Sequence, residues 1–164
     1  MKLIFLDIDG VLNHDLFYKE KSQDDRYKEV GYPDCDIDPK KIKLLNKLIK
    51  DTGAKVVISS TWKKSSTWRK GRTVEILQDI LDRNGFKGKI IGLTPCLYLE
   101  KNFMPRGIEI YSYLKDNQKH NTRYVIFDDD SDMMLWQKDN FFLVDNYCGL
   151  TPNIIYKATR FLNK

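Results

Sequence analysis

The sequence is short of the residues that build disulfide frameworks and thiolate metal sites. It has 3 cysteines in 164 residues, Cys35, Cys96 and Cys148, scattered and without ligand spacing. That pattern argues against a stapled scaffold or a zinc site and suits reduced thiols in a cytoplasmic protein. The 2 histidines, His14 and His120, are isolated, and both read as loop or surface residues rather than catalytic ones. No apolar run approaches the roughly 20 residues that a membrane helix needs. The N-terminus lacks a basic region followed by an apolar stretch and a cleavage site, so secretion is not expected. There is no Gly-x-x-x-x-Gly-Lys-Ser/Thr loop, and hence no kinase-type phosphate cradle. Repeats, low-complexity tracts and linkers are missing too, and the length fits one domain over 1–164.

Hydrophobic residues make up 41% and charged residues 31%, a composition that can bury a core. The formal net charge of +5 leans towards an anionic partner. The most informative stretch is the first. Leu3-Ile4-Phe5-Leu6 is a continuous apolar run, as expected for a strand buried on both faces of a parallel sheet, and it ends in Asp7-Ile8-Asp9-Gly10. Two carboxylates two positions apart converge just beyond such a strand, and Gly10 lets the chain turn there. Acids that close repel each other unless a cation lies between them, and hard oxygen ligands favour magnesium.

Strand and helix signals alternate along the remaining chain. Residues 13–36 are polar and without a sustained apolar period, which predicts a short inserted loop or hairpin near the site. Asp38-Pro39 opens a helix that Thr52-Gly53 closes. Lys55–Ser59 reads as a second strand, Thr73–Arg83 as a helix, Lys89–Gly92 as a third strand, and Leu93–Pro105 as a loop. Arg106–Leu114 reads as a helix, Arg123–Asp128 and Asn140–Val144 as the last two strands, and Pro152–Phe161 as a closing helix. This order predicts an α/β, three-layer Rossmann-like fold around a central, mainly parallel five-stranded sheet, with no large cap domain. In such a sheet all the strands deliver their last residues to one edge. There the sequence gathers Asp7 and Asp9, then Ser59-Ser60-Thr61-Trp62, then Asp128-Asp129-Asp130-Ser131-Asp132, then Asp145-Asn146.

Asp7-Ile8-Asp9-Gly10-Val11-Leu12 resembles motif I of the haloacid dehalogenase-like (HAD) superfamily of aspartate-nucleophile phosphohydrolases. Val56-Val57-Ile58-Ser59 and Val125-Ile126-Phe127-Asp128-Asp129 resemble its motifs II and IV. The resemblance implies a magnesium-dependent phosphomonoesterase in which Asp7 attacks phosphorus and forms an aspartyl-phosphate. Asp9 is implied as general acid and then base, with its backbone carbonyl on the metal. Ser59 is the implied phosphoryl hydrogen-bond donor, with Ser60 the alternative; the same residues also suit a helix cap. The implied motif III cation is Arg106, with Lys101 as second candidate, and Glu109 lies one helical turn from Arg106. For the acidic pair two registers stay open. Either Asp129 is the metal ligand with Asp128 in support, or Asp128 is the ligand with Asp132 as its helper.

Trp62-Lys63-Lys64-Ser65-Ser66-Thr67-Trp68-Arg69-Lys70-Gly71-Arg72 follows motif II directly. Basic groups contact phosphates and aromatics stack on bases, so Ser60, Thr61, Trp62, Lys63, Lys64 and Arg69 are candidate substrate contacts. The strings Ser59-Ser60-Thr61-Trp62, Arg106-Gly107-x-Glu109-Ile110, Asp128-Asp129-Asp130-Ser131-Asp132-Met133 and Gly149-Leu150-Thr151 are similar to the HAD domain of Swiss-army-knife RNA repair proteins. That group is related to the phosphatase half of polynucleotide kinase-phosphatases, which implies a phosphorylated nucleotide or nucleic-acid end (3′ or 5′) as partner. Two other readings stay open: a phosphatase of nucleoside monophosphates or sugar phosphates, and a non-catalytic nucleic-acid-binding module on the same scaffold.

Overall fold

The apolar run at the start of the chain forms strand β1 (Lys2–Leu6), whose Leu3, Ile4, Phe5 and Leu6 are all buried. The computed structural model describes residues 1–23, 37–64, 71–100, 102–117 and 122–164. After β1 come helix α1 (Asp15–Ser22), helix α2 (Pro39–Thr52), strand β2 (Lys55–Ile58) and helix α3 (Val74–Arg83). Strand β3 (Ile90–Leu93) and the short strands β4 (Tyr98–Leu99) and β5 (Asn102–Phe103) precede helix α4 (Arg106–Asn117). Strands β6 (Arg123–Asp128) and β7 (Phe141–Leu143) and helix α5 (Pro152–Leu162) complete the chain. The main sheet has the order β3-β2-β1-β6-β7, with every neighbouring pair parallel.

Side chains alternate across a strand, so β1 supplies both cores. Ile4 and Leu6, with Val56, Ile58, Val125 and Phe127, pack with residues of α2, α3 and α5. Leu3 and Phe5, with Val57 and Ile126, pack under α4 through Ile110, Tyr113 and Leu114. The result is the expected three-layer arrangement. Among the described residues, no helix is long and apolar enough to cross a membrane.

The helix starts follow local chemistry. Asp38 caps α2 by accepting from Lys40 N at 2.8 Å with Pro39 in the first turn, and Gly53 closes the helix in the left-handed region at φ 68°. Thr73 and Thr151 cap α3 and α5 in the same way.

Two segments depart from expectation. Asp15–Ser22 is a helix inside the stretch read as loop or hairpin, while 24–36 lie outside the described residues. Phe17 is its one buried residue, so no apolar period announces it. His14 supplies the cap, accepting from Phe17 N at 3.2 Å, and its other ring nitrogen lies 3.0 Å from Asp38 Oδ2. His14 is therefore a buried structural residue rather than a surface one; His120 lies outside the described residues. Within Leu93–Pro105, read as a loop, β4 and β5 pair as an antiparallel hairpin. The usual Gly or Asn of such a turn is missing, and Glu100 instead takes the left-handed conformation at φ 55°.

Asp38 thus serves two helices, whereas Thr151 serves one. Asp38→Ala is expected to lower stability by about 2 kcal/mol or more, against about 1 kcal/mol for Thr151→Ala. Urea unfolding of the two variants compares them.

Candidate active site

The sheet register assembles the site. Leu6 pairs with Ile58 on one side and with Phe127 on the other, so the next residues, Asp7, Ser59 and Asp128, stand in one row across three strand ends. Asp7 N donates to Phe127 O at 2.9 Å and Ser59 N to Leu6 O at 3.0 Å, which carries the ladder one step past β1. All three side chains are buried. Beyond them Gly10 turns at φ 70°, and a Cβ there would collide with the Asp129 carboxylate. The lack of a side chain at Gly10 is therefore what leaves room for Asp129 beside the turn that follows β1.

Arg106, at the start of α4, reaches into this row. Its Nη1 donates to Asp7 Oδ1 at 2.7 Å and lies 3.0 Å from Asp128 Oδ2. The Asp128 contact is a charge contact without hydrogen-bond alignment, and Asp128 Oδ2 has no hydrogen-bond partner. Lys101, the second candidate cation, lies outside the described residues.

One guanidinium faces several acids. Asp7, Asp128 and Asp129 each offer a carboxylate oxygen, all within 4.8 Å of one another. Burial pushes the Asp128 carboxyl up to about 7, helped by the neighbouring Asp7 charge and opposed by Arg106. Burial also raises Asp7, against Arg106 and a hydrogen bond from Ser60, and it raises Asp129, with Asp7 adding to the effect. The Arg106 pKa is itself raised: burial disfavours its charge, but Asp7 and Asp128 outweigh that cost. A cluster with three hard oxygen ligands, excess negative charge and a buried oxygen lacking a hydrogen bond fits a magnesium-sized divalent cation.

Asp9 stands apart from that cluster. Its Oδ1 accepts from Asn13 Nδ2 at 2.8 Å and its Oδ2 from Trp62 Nε1 at 2.8 Å. Asp9 is exposed. Ser59 Oγ is buried and has no hydrogen-bond partner. Ser60 Oγ accepts from Trp62 N at 3.2 Å and caps the 3-10 turn Thr61–Lys63. Asp132 holds Arg106 in place, its Oδ2 accepting from Arg106 N at 2.7 Å.

The basic stretch divides. Lys63, expected to contact substrate, turns inward. It is buried, bonds Thr94 Oγ1, and donates to Glu109 Oε2 at 2.6 Å. A desolvated ammonium needs a partner, and Glu109 sits on the inward face of α4 beside Ile110. Glu109 therefore pairs with Lys63 rather than with Arg106. The inward period of Ile110, Tyr113 and Leu114 was the signal that could have found it. Lys64 is half-buried with its Nζ 3.4 Å from the centroid of Phe103, and Arg72 lies over Trp62 at 5.0 Å. Thr61 is exposed. Arg69 lies outside the described residues. The grip of Asn13 and Trp62 on Asp9 left no trace in the sequence pattern, because both depend on how the turns after β1 and β2 meet.

A family model described as the HAD domain in Swiss Army Knife RNA repair proteins matches residues 3–154. No curated protein and no solved structure matches the chain.

The carboxyl shifts carry a pH signature. A folded pKa above the unfolded value means that the native state holds a proton the unfolded chain has lost. The Asp128 contribution therefore falls as pH rises from about 4 to about 7. Metal-free protein is expected to melt lower at pH 8 than at pH 5, and magnesium is expected to restore the midpoint at pH 8 only. Each ~1 kcal/mol of relieved repulsion should appear as about 2–4 °C in a chain of this size. Thermal melts with and without chelator measure it.

Proposed function

Because the chain belongs to the family of HAD domains found in Swiss Army Knife RNA repair proteins, we propose that it is a phosphomonoesterase acting on phosphorylated nucleic-acid ends or nucleotides. The observation that carries this reading is the buried Asp7 carboxylate, bridged by Arg106 to Asp128 at the end of the neighbouring strand. A structural ion pair needs one acid for one base. Here extra acids crowd one sheet edge, where charge repulsion costs stability unless the site is used to bind something.

In the proposed reaction an Asp7 oxygen attacks phosphorus as the bond to the leaving oxygen breaks, giving an aspartyl-phosphate. Asp9 donates its proton to that leaving oxygen. Each oxygen of Asp9 accepts one hydrogen bond, from Asn13 or Trp62. A carboxylate oxygen has a second lone pair, so the group can be oriented and still carry a proton. In the second half Asp9 takes a proton from water as the water oxygen attacks the same phosphorus. The bond to Asp7 breaks, and inorganic phosphate leaves. Ser59, whose hydroxyl has no partner, donates to a phosphoryl oxygen, and Arg106 offsets the charge of Asp7 and Asp128. Asp7, Asp128 and Asp129, with the Asp9 carbonyl, would hold magnesium, which supplies positive charge against the phosphoryl oxygens. The unpaired Cys96 and Cys148 suit a reducing compartment such as the cytoplasm.

Phosphate release measured with magnesium tests the reading on nucleoside monophosphates and on 3′- and 5′-phosphorylated oligonucleotides. Turnover of the oligonucleotides is expected, with binding that weakens as salt rises. Preference for free nucleotides with little salt dependence would replace the nucleic-acid reading with a metabolite one. Asp7→Asn should lower turnover at least about 10³-fold. Retained magnesium-dependent turnover in that variant would remove Asp7 from the nucleophile's place.

A further inference from the structure

Just before Arg106 in the chain, the β4–β5 hairpin holds three large apolar side chains open to water. Tyr98, Leu99 and Phe103 are 57%, 65% and 55% exposed. The two rings contact each other, with centroids 4.5 Å apart and planes tilted by 41°. Lys64 Nζ lies 3.4 Å from the Phe103 centroid and 6.0 Å from that of Tyr98. A cation over a ring face fixes the ring and places positive charge beside it.

The hairpin's position is set by the same groups that set the site. Leu97 N donates to Glu109 Oε1 at 3.1 Å, and Lys64 Nζ lies 3.9 Å from that oxygen. Met104 N donates to Leu97 O at 3.0 Å and closes the hairpin's base. Phe103 stands three residues before Arg106, which contacts Asp7. Lys64 stands two residues after Trp62, whose indole holds Asp9. Arg72, 5.0 Å from the Trp62 ring, forms a second cation–ring pair along this edge. Rings open to water, held by Lys64 on a hairpin that leads directly into Arg106, fit a flat π-system that carries phosphates. The charge of Lys64 beside the rings favours an anionic partner over a purely apolar one.

We propose that Tyr98 and Phe103 form a stacking platform for the nucleobase adjoining the phosphate that is removed, with Lys64 holding the platform and attracting the backbone. This assignment rests on the phosphatase reading above. It makes the base, as well as the phosphate, part of what the site recognises.

Binding and turnover test it separately, on RNA tetranucleotides carrying a 3′- or a 5′-phosphate. Each is made with its terminal base and as the abasic sugar. Fluorescence anisotropy on Asp7→Asn protein with magnesium is expected to show about tenfold tighter binding when the base is present. Adding Tyr98→Ala with Phe103→Ala should bring the two dissociation constants within about twofold of each other, whereas Tyr98→Phe should keep the preference. Equal affinity for the base-bearing and abasic ends before any hairpin substitution overturns the platform and leaves the hairpin to a protein partner or a second copy. Base-dependent binding without phosphate release by the unsubstituted protein overturns the phosphatase reading and upholds the platform.

Discussion

The contact between Arg106 and the acids at the ends of β1 and β6 is the constraint on which the site depends. Asp7 and Asp128 follow paired positions on neighbouring strands, so the sheet forces them together whether or not their charges agree. Arg106 lies within 3.0 Å of both and makes the arrangement tolerable, though it does not neutralise it. The Asp128 carboxyl, raised to about 7, shows how much repulsion and desolvation remain. Acids held this close cost stability, a cost that the proposed cation would relieve.

Much of the surrounding structure serves to hold that arginine in place. Asp132 accepts from its backbone nitrogen, Gly107 N donates to Asp132 O at 3.2 Å, and Gln137 Nε2 donates to Gly107 O at 2.9 Å. These bonds fasten the first turn of α4 to the segment that follows β6. From the other side Lys63 and Glu109 tie the helix to the turn after β2. Arg106 is therefore held by both of the strands that flank β1, through loops rather than through the sheet itself. The buried ion pair is costly to desolvate, and it joins α4 directly to the Thr61–Lys63 turn.

The main elements were legible because their signals are local. Apolar runs of four and three residues marked β1 and β2, Asp38-Pro39 and Thr52-Gly53 bracketed α2, and Pro152 opened α5. The segments that were missed have weak or misleading local signals. Helix α1 buries only Phe17 and is capped by a histidine that Asp38 holds from 24 residues away. The β4–β5 hairpin turns through Glu100 in a conformation that favours glycine or asparagine. Lys63 read as one more basic residue in a basic run, since nothing near it in sequence is acidic; its partner comes from α4.

The sequence alone determined which polar side chains the edge carries. The order of strands and helices implied a parallel sheet, and a parallel sheet sends Asp7, Ser59 and Asp128 to one side. Periodicity and strand polarity are properties of the chain, so they can be read from it. Which side chains touch was decided only by tertiary structure. Arg106 meets Asp7 across 99 positions and Lys63 meets Glu109 across 46, and Trp62 reaches back 53 to hold Asp9. Such pairings depend on how the loops pack above the sheet, where backbone direction has no fixed period and only packing and charge select the partner.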